Sequence, residues 1–285
     1  MQLIYNQLSQ MGLTCDQISI LQDKDGITVA RVSCGTDSYI LKYFQKPEHR
    51  REIANYHLLH SLGIPTIKLL ASTDSALLLE DLGCSPVYRL GNKEDMDHPA
   101  VAGKLAEWYR ALHQRGYDYV AEHGNSLYDE SDFFTLENIA LIAGKTETED
   151  WTSWKLLQQH FHDITQKLAK IRKTLTYNDF YYTNLAVAQD YSAALMFDYN
   201  LLGKGTAVSD LRNVTYPLSP AAKDAFLSAY GTLNQTEALL DDITAPVVTL
   251  YFACQRPKFP EWAKEALCQI KNELPNKIFQ LLESN

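Results

Sequence analysis

Three residues in the second half of the chain could together carry out phosphoryl-transfer chemistry: Asp179, Asn184 and Asp198. They lie in Thr176-Tyr-Asn-Asp-Phe-Tyr-Tyr-Thr-Asn-Leu-Ala-Val-Ala and, further on, in Ala194-Leu-Met-Phe-Asp-Tyr. A carboxylate can accept the proton of an attacking hydroxyl. A neutral amide oxygen and a second carboxylate are the hard donors that Mg2+ prefers. A carboxylate, four spacer residues, an Asn, an apolar strand and a second Asp closing another apolar strand is the order in which ATP-dependent kinases present a base and two metal ligands. Asp179 is therefore read as the catalytic base, with Asn184 and Asp198 as ligands of Mg2+. Asp-x4-Asn alone is expected by chance about once in a chain this long, so the information lies in the hairpin that follows. Leu185, Val187, Ala194 and Met196 alternate as two short strands should, with Gln189-Asp190 at the turn. Such a hairpin returns Asp198 to the side of Asn184.

A second constellation lies far upstream. Ser38-Tyr-Ile-Leu-Lys-Tyr-Phe reads as a strand with Lys42 on the face of Ile40, opposite Leu41 and Tyr43. Pro47 opens a helix over 47–61, and Leu62-Gly63-Ile64-Pro65 closes it. Glu48, Glu52 and Tyr56 share one face of that helix at four-residue spacing. A strand Lys held by a helix Glu and directed at the α- and β-phosphates of ATP is the other half of a kinase site. Glu52 is preferred to Glu48 because it lies one turn deeper than the fraying first turn; the plain alternatives are an edge-strand Lys and a solvated helix Glu. In Ser75-Ala-Leu-Leu-Leu-Glu-Asp-Leu-Gly an apolar strand breaks at Glu80, Asp81 and Leu82, where open backbone groups are expected to pair with adenine. Lys42, Glu52, Glu80, Asp81 and Leu82 are thus the nucleotide-binding residues expected.

In these segments the chain resembles the aminoglycoside phosphotransferase and choline kinase-like family of small-molecule kinases. The resemblance rests on Lys42, Glu52, Leu77-Leu-Leu-Glu-Asp-Leu82, Leu105-Ala-Glu-Trp-Tyr-Arg-Ala-Leu-His113, the Asp179 to Asn184 loop, Phe197-Asp-Tyr and Ser209-Asp-Leu-Arg, in the family's order over residues 38–212. It implies an α+β, bilobal protein-kinase-like fold. Residues 1–83 would form a small five-stranded antiparallel nucleotide-binding lobe with one helix, ending in a hinge at 80–83. Residues 84–285 would form a larger, mainly helical lobe with the catalytic loop and the substrate site. ATP and Mg2+ are the implied cofactors, and a small hydroxylated, cationic molecule of the aminoglycoside or choline type the implied acceptor. Two departures stand out. Tyr177-Asn178-Asp179 replaces the common His-Gly-Asp, although choline kinase-like members also place Asn before the Asp. Gly205-Thr-Ala-Val-Ser stands before Asp210 where Gly-Asp-Pro is frequent. Neither removes a base or a metal ligand.

The elements that must position these residues follow from periodicity. Strands are expected over 18–22, 27–33, 38–44, 67–72 and 76–82. Asp23-Lys-Asp-Gly26, with one Gly, reads as a hairpin turn rather than a Gly-rich phosphate loop. Beyond Gly83, helices are expected over 99–114, 131–143, 151–173, 220–230, 246–252 and from 260 to the end. Tyr117, Tyr119, Tyr128, Phe133, Phe134, Trp151 and Trp154 interleave with Asp118, Glu122, Asp129, Glu130, Asp132 and Glu137. Such a mixture suits a cationic acceptor, or equally an acidic surface over an aromatic core.

Composition narrows the classes. A net charge of −9 over 285 residues argues against nucleic acid as partner, because a phosphate-tracking groove needs a basic surface. Gly203-Lys-Gly-Thr lacks the leading Gly of a Walker A loop. No apolar run approaches a membrane span, and Met1-Gln-Leu-Ile-Tyr-Asn carries no signal features, so a cytoplasmic protein without a membrane partner is expected. Five cysteines without Cys-x-x-Cys spacing read as reduced thiols. His57 with His60 and His160 with His162 lack further ligands for a metal, and His113 is expected to hydrogen-bond in the core. No obligate protein partner is evident. The leading reading is a small-molecule kinase; the alternative, motivated by Tyr177-Asn178, is a catalytically silent nucleotide-binding homologue. A protein Ser/Thr kinase is disfavoured because only eleven residues separate Asp198 from Asp210.

Overall fold

The computed structural model describes residues 1–283. The chain forms two compact units, one of Met1–Gly116, Tyr177–Leu202 and Asn213–Gly231, the other of Tyr117–Thr176, Gly203–Arg212 and the chain from Thr232 onward.

The first unit opens with α1 (Gln2–Gln10), β1 (Gln17–Lys24), β2 (Ile27–Cys34), β3 (Asp37–Phe44), α2 (Arg51–Ser61), β4 (Leu69–Ser72) and β5 (Ala76–Glu80). The strands make a five-stranded antiparallel sheet in the order β1-β2-β3-β5-β4. Asp25 and Gly26, with φ of 55° and 86°, supply the two left-handed residues of a tight hairpin turn between β1 and β2. Strand alternation sends Ala30, Val32, Leu41 and Leu78 to one face, where Ile4 and Leu8 of α1 pack on them. Burying those two side chains stabilises the attachment of α1 by about 3–6 kcal/mol at most. Cross-strand pairing of Val29 with Lys42, Arg31 with Ile40, Lys42 with Leu77 and Ile40 with Leu79 puts this second set on the opposite face.

The sheet therefore carries two helices rather than the one expected. Helix α1 has no side-chain N-cap to announce it and is held by packing. The helix expected over 47–61 divides into a 3-10 turn, Pro47–His49, and α2 proper. The fourth strand starts at Leu69 and the fifth stops at Glu80, two residues inside their expected limits.

Downstream lie β6 (Tyr88–Leu90), α3 (Pro99–His123), α4 (Leu136–Lys145), α5 (Thr152–Gln159), α6 (Phe161–Lys170), β7 (Thr174–Thr176), β8 (Leu185–Ala188), β9 (Ala194–Met196), β10 (Gly203–Gly205), α7 (Ala207–Thr215), α8 (Pro220–Tyr230), α9 (Gln235–Cys254), α10 (Lys264–Asn272) and α11 (Leu274–Glu283). β6, β8 and β9 form an antiparallel sheet in the first unit, and β7 pairs with β10 in the second. The core of the second unit gathers Ile139, Ile142, Trp154, Leu157, Ile243, Leu250 and Ile278. Its central helix α9 runs through Pro246, so the helix expected to begin there is the second half of a longer one. Proline removes one backbone bond, but Ile243, Val247 and Leu250 are fully buried around it and hold the helix together. The expected helix 151–173 breaks at His160, between α5 and α6. That over 131–143 starts later, where the Thr135 hydroxyl caps α4 by accepting from the Asn138 N–H at 3.2 Å. All five cysteines are free thiols. Among the described residues no helix is long and apolar enough to cross a membrane.

Candidate active site

The hairpin β8–β9 brings the two ends of the downstream motif together. Leu185 pairs with Met196, and the Phe197 N–H donates to the Asn184 carbonyl at 2.9 Å, so Asp198 emerges beside Asn184. The Asn184 side-chain NH2 donates to the Asp179 carbonyl at 3.3 Å and to its Oδ2 at 3.4 Å. The amide oxygen of Asn184 is thereby turned away from Asp179. Two residues of this assembly adopt left-handed backbone conformations without being glycine: Asn178 at φ 65° and Asp198 at φ 64°. Each such residue costs on the order of 1 kcal/mol, and Asn and Asp bear the cost best. Asn178 also donates from Nδ2 to the Leu201 carbonyl at 3.0 Å. The departure at Tyr177-Asn178 thus has a local reason, since Asn suits the conformation that precedes Asp179. Tyr177 is fully buried and donates its hydroxyl to the Phe197 carbonyl at 2.5 Å, tying the segment before Asp179 to the residue before Asp198.

Lys42 joins this assembly to the sheet. Its Nζ lies 2.6 Å from Glu52 Oε2 and 2.9 Å from Asp198 Oδ1. The Lys42 and Glu52 side chains are nearly inaccessible, whereas that of Asp198 is one-third exposed (33%). Burial works against the Lys42 charge, but Glu52 and Asp198 overcome it and hold its pKa above the usual value. Burial pushes the Glu52 carboxyl up to about 7, with Lys42 opposing and Asp198 adding to the rise. Asp179 is raised too, first by burial and then by the charge of Asp198, while Lys42 and Asn184 act in the other direction. Helix α2 is fastened to the same segment: Asn55 Nδ2 donates to the Tyr199 carbonyl at 2.7 Å, and the rings of Tyr56 and Tyr199 meet edge to face at 4.7 Å.

This donor set suits Mg2+. Asp198 and Asn184 stand side by side at the open end of the hairpin, Lys42 lies 2.9 Å from Asp198 Oδ1, and the charge of Asp198 raises the Asp179 pKa even with Lys42 opposing it. Among the described residues no group of three His, Cys, Asp or Glu could hold a metal. A bound ion would then draw the rest of its shell from phosphate and water, as Mg2+ commonly does.

At residues 80–83 the structure corrects part of the expectation. The Asp81 carboxylate accepts from Arg31 Nε at 2.6 Å and Nη2 at 3.2 Å, from the Ser38 hydroxyl at 2.6 Å and from the Gly83 N–H at 2.9 Å. The Asp81 side chain is thus engaged inside the protein; burial works to raise its pKa, but Arg31, Ser38 and the Gly83 N–H outweigh it and hold the carboxyl below its usual value. Nor is β5 an open edge, since it lies between β3 and β4. What the segment can offer is main chain. The Glu80 N–H donates to the Lys68 carbonyl at 3.0 Å, while the Lys68 N–H turns to Glu80 Oε2 at 3.4 Å instead of the Glu80 carbonyl.

In the second unit, several of the aromatic and acidic residues expected around an acceptor are engaged within the protein. Phe134 and Trp154 are core residues, Phe133 stacks on Tyr251 at 5.0 Å, Asp118 pairs with Arg172 and Asp129 with Lys173 at 2.5 Å. Glu130 differs. Burial first, with Asp210, Asp241 and Asp129 adding and Arg212 opposing, pushes its carboxyl to about 7, and it forms no ion pair among the described residues. The histidines behave as ordinary side chains: His57 meets Ser72 Oγ at 3.0 Å, His160 lies 3.6 Å from Asp163, and buried His113 meets the Tyr230 hydroxyl at 2.8 Å. Sequence reasoning missed Arg31, Asn55 and Tyr199, and read Tyr177 only as a departure. Asn55, three residues after Glu52 on the same helix face, was the one with a visible signal.

By sequence, no protein-family model and no curated protein matches the chain. By structure, it is similar to choline kinase LicA from Streptococcus pneumoniae (TM-score 0.62, 13% identity, 96% of this chain and 98% of that chain covered). Macrolide 2'-phosphotransferase MphH from Brachybacterium faecium matches comparably (0.62, 16%, 96% and 99%). So does the AMP-bound spectinomycin phosphotransferase APH(9)-Ia (0.64, 12%, 100% and 98%). At these identities the likeness establishes the fold: the chain has the kinase-like α+β architecture of these proteins, a five-stranded antiparallel sheet with a larger helical part.

Proposed function

We propose that the protein is an ATP-dependent small-molecule kinase that transfers the γ-phosphoryl group to a hydroxyl. The observation that carries this reading is Lys42 Nζ bridging Glu52 and Asp198, with Asp179 and Asn184 on the adjoining loop. Glu52 holds the ammonium of Lys42 toward the phosphates of the nucleotide. Asp198 and Asn184 would hold Mg2+, which when bound neutralises charge on the phosphate oxygens. Asp179 accepts the hydroxyl proton as the acceptor oxygen bonds to the γ-phosphorus and ADP departs. Its raised pKa makes it a better base than an ordinary Asp. We assign nucleotide binding to residues 1–83, with adenine pairing to the Glu80 carbonyl and the Leu82 N–H at a hinge over 80–83. Acceptor binding and the catalytic loop fall to residues 84–285, and the protein acts in the cytoplasm, where ATP is supplied.

The acceptor we favour is cationic. The net charge of −9 supports this, because an acidic protein attracts cations and repels anions. The names of two of the structural neighbours, a choline kinase and a spectinomycin phosphotransferase, point to amine-bearing alcohols as well. Coupled ADP release should be measured with choline, ethanolamine, aminoglycosides, methylthioribose, homoserine and simple sugars. Turnover with a cation supports the whole reading; preference for an uncharged sugar removes the cationic acceptor and keeps the kinase. Nucleotide binding without ADP release on any acceptor would favour the silent homologue.

A further inference from the structure

The sheet face that carries Lys42 also carries Arg31. Its cross-strand partner is Ile40, two residues before Lys42 on β3, and Ile40 in turn pairs with Leu79, the residue before Glu80. Two residues of strand span about 7 Å, so along the strand direction Arg31 is displaced from the level of Lys42 toward that of Glu80, and its guanidinium reaches across β3 to Asp81. Val29, Arg31 and Ile40 are half-buried, whereas Ala30, Val32 and Leu41 on the other face are fully buried. The guanidinium is also held edge-on. Asp81 takes Nε and Nη2, Ser38 completes the carboxylate, and the loop at Gly83 closes against the group. A Cβ at Gly83 would lie 2.8 Å from Arg31 Nη2 and 3.1 Å from Asp81 Oδ1, so only glycine permits this approach. The edge of the guanidinium is bound, yet the side chain is still 41% exposed and so within reach of a ligand. A planar cation of that kind stacks on an aromatic ring.

We propose that Arg31 is a specificity-determining residue of the nucleotide site, laying its guanidinium on the purine base, with Asp81 as the positioning residue that fixes its plane. This rests on the kinase reading above, and in particular on adenine lying at residues 80–82. Asp81 then acts through Arg31 without touching nucleotide.

Calorimetric titration with two Mg2+-bound probes, ADP and inorganic tripolyphosphate, separates base recognition from phosphate recognition. Arg31→Met should weaken ADP about tenfold and leave tripolyphosphate unchanged. Arg31→Lys, which keeps the charge and loses the plane, should resemble Arg31→Met. Gly83→Ala keeps both charges and displaces the guanidinium, so it too should lose ADP selectively if either Arg31 variant folds poorly. Unchanged ADP affinity in Arg31→Met overturns the proposal, and so does a parallel loss of both probes, which would mean that Arg31 acts through the fold of the sheet. Wild-type protein that binds tripolyphosphate but not ADP overturns it as well, whereas binding of neither probe overturns the kinase reading itself.

Discussion

Replacing Lys42 by Met should make folding stability fall steeply as pH rises. Glu52 is fully buried, and burial has already lifted its carboxyl from 4.5 to about 7 with Lys42 beside it. Without Lys42 the main opposing influence is gone, so the folded-state pKa moves higher still. The group then binds its proton more tightly in the folded chain than in the unfolded one. The corresponding stability is fully present below about 4.5 and is lost progressively as pH climbs toward the folded value. From 4.5 to about 7, at about 1.4 kcal/mol per pH unit, the loss is about 3 kcal/mol, and in the mutant it continues to higher pH than in the wild type. Urea unfolding of Lys42→Met and of Lys42→Met/Glu52→Gln at pH 5.5, 7 and 8 isolates the contribution of Glu52, because the remaining titrations are common to both proteins. The single mutant should lose stability relative to the double by about 1.4 kcal/mol for each added pH unit. A constant difference across this range would show that Glu52 does not titrate as a buried, unpaired acid, and the argument from the ion pair would fail with it.

Asp179→Asn should fold and bind Mg-ATP yet lose on the order of 10² to 10⁴ in turnover. In the wild type, kcat/KM should fall as pH drops through a value above the ordinary 3.8 of Asp, because burial and Asp198 raise that carboxyl and only its ionised form can take a proton; an acid limb at or below 3.8 would contradict this. Asp198→Ala should abolish Mg2+-dependent nucleotide binding and Asn184→Ala weaken it less, since one loses a full charge and the other a carbonyl dipole; calorimetry showing equal affinity in wild type and Asp198→Ala would refute the ligand assignment. Asn178→Gly and Asn178→Val both lose the bond to the Leu201 carbonyl, but Asn178→Val should be less stable by roughly a further 1–3 kcal/mol, as expected for a β-branched residue forced to φ 65°; equal melting temperatures for the two variants would count against backbone strain there.

The site was more legible than its surroundings. Asp179, Asn184 and Asp198 declare themselves because their spacing is set by one hairpin, and hairpin register is a local property of alternation. Lys42 and Glu52 lie in neighbouring elements, so strand face and helix face together predicted their meeting. Arg31 and Asp81, by contrast, are fifty positions apart, and no pattern in either segment marks one as the partner of the other. The aromatic residues between Tyr117 and Trp154 show a similar limit. Residue type does not separate Trp154, packed in the core, from a ring lining a site, because both need the same apolar surface. At Pro246 the local signal pointed the wrong way: proline favours a helix start, and only the packing around α9 outweighs that preference.

The hydroxyl of Tyr177 on the Phe197 carbonyl and the amide of Asn55 on the Tyr199 carbonyl grip the chain immediately before and immediately after Asp198. An inhibitor that needs Asp198 swung outward must first break both bonds, one made from the segment before Asp179 and the other from the helix that carries Glu52. Such compounds should associate slowly and be poor starting points, whereas those that accept the aspartate where it stands meet a surface already formed. Screening for ligands of this protein is therefore best directed at shape and charge complementarity to the fixed arrangement, and slow-onset inhibition would itself report that the grip on Asp198 had been released.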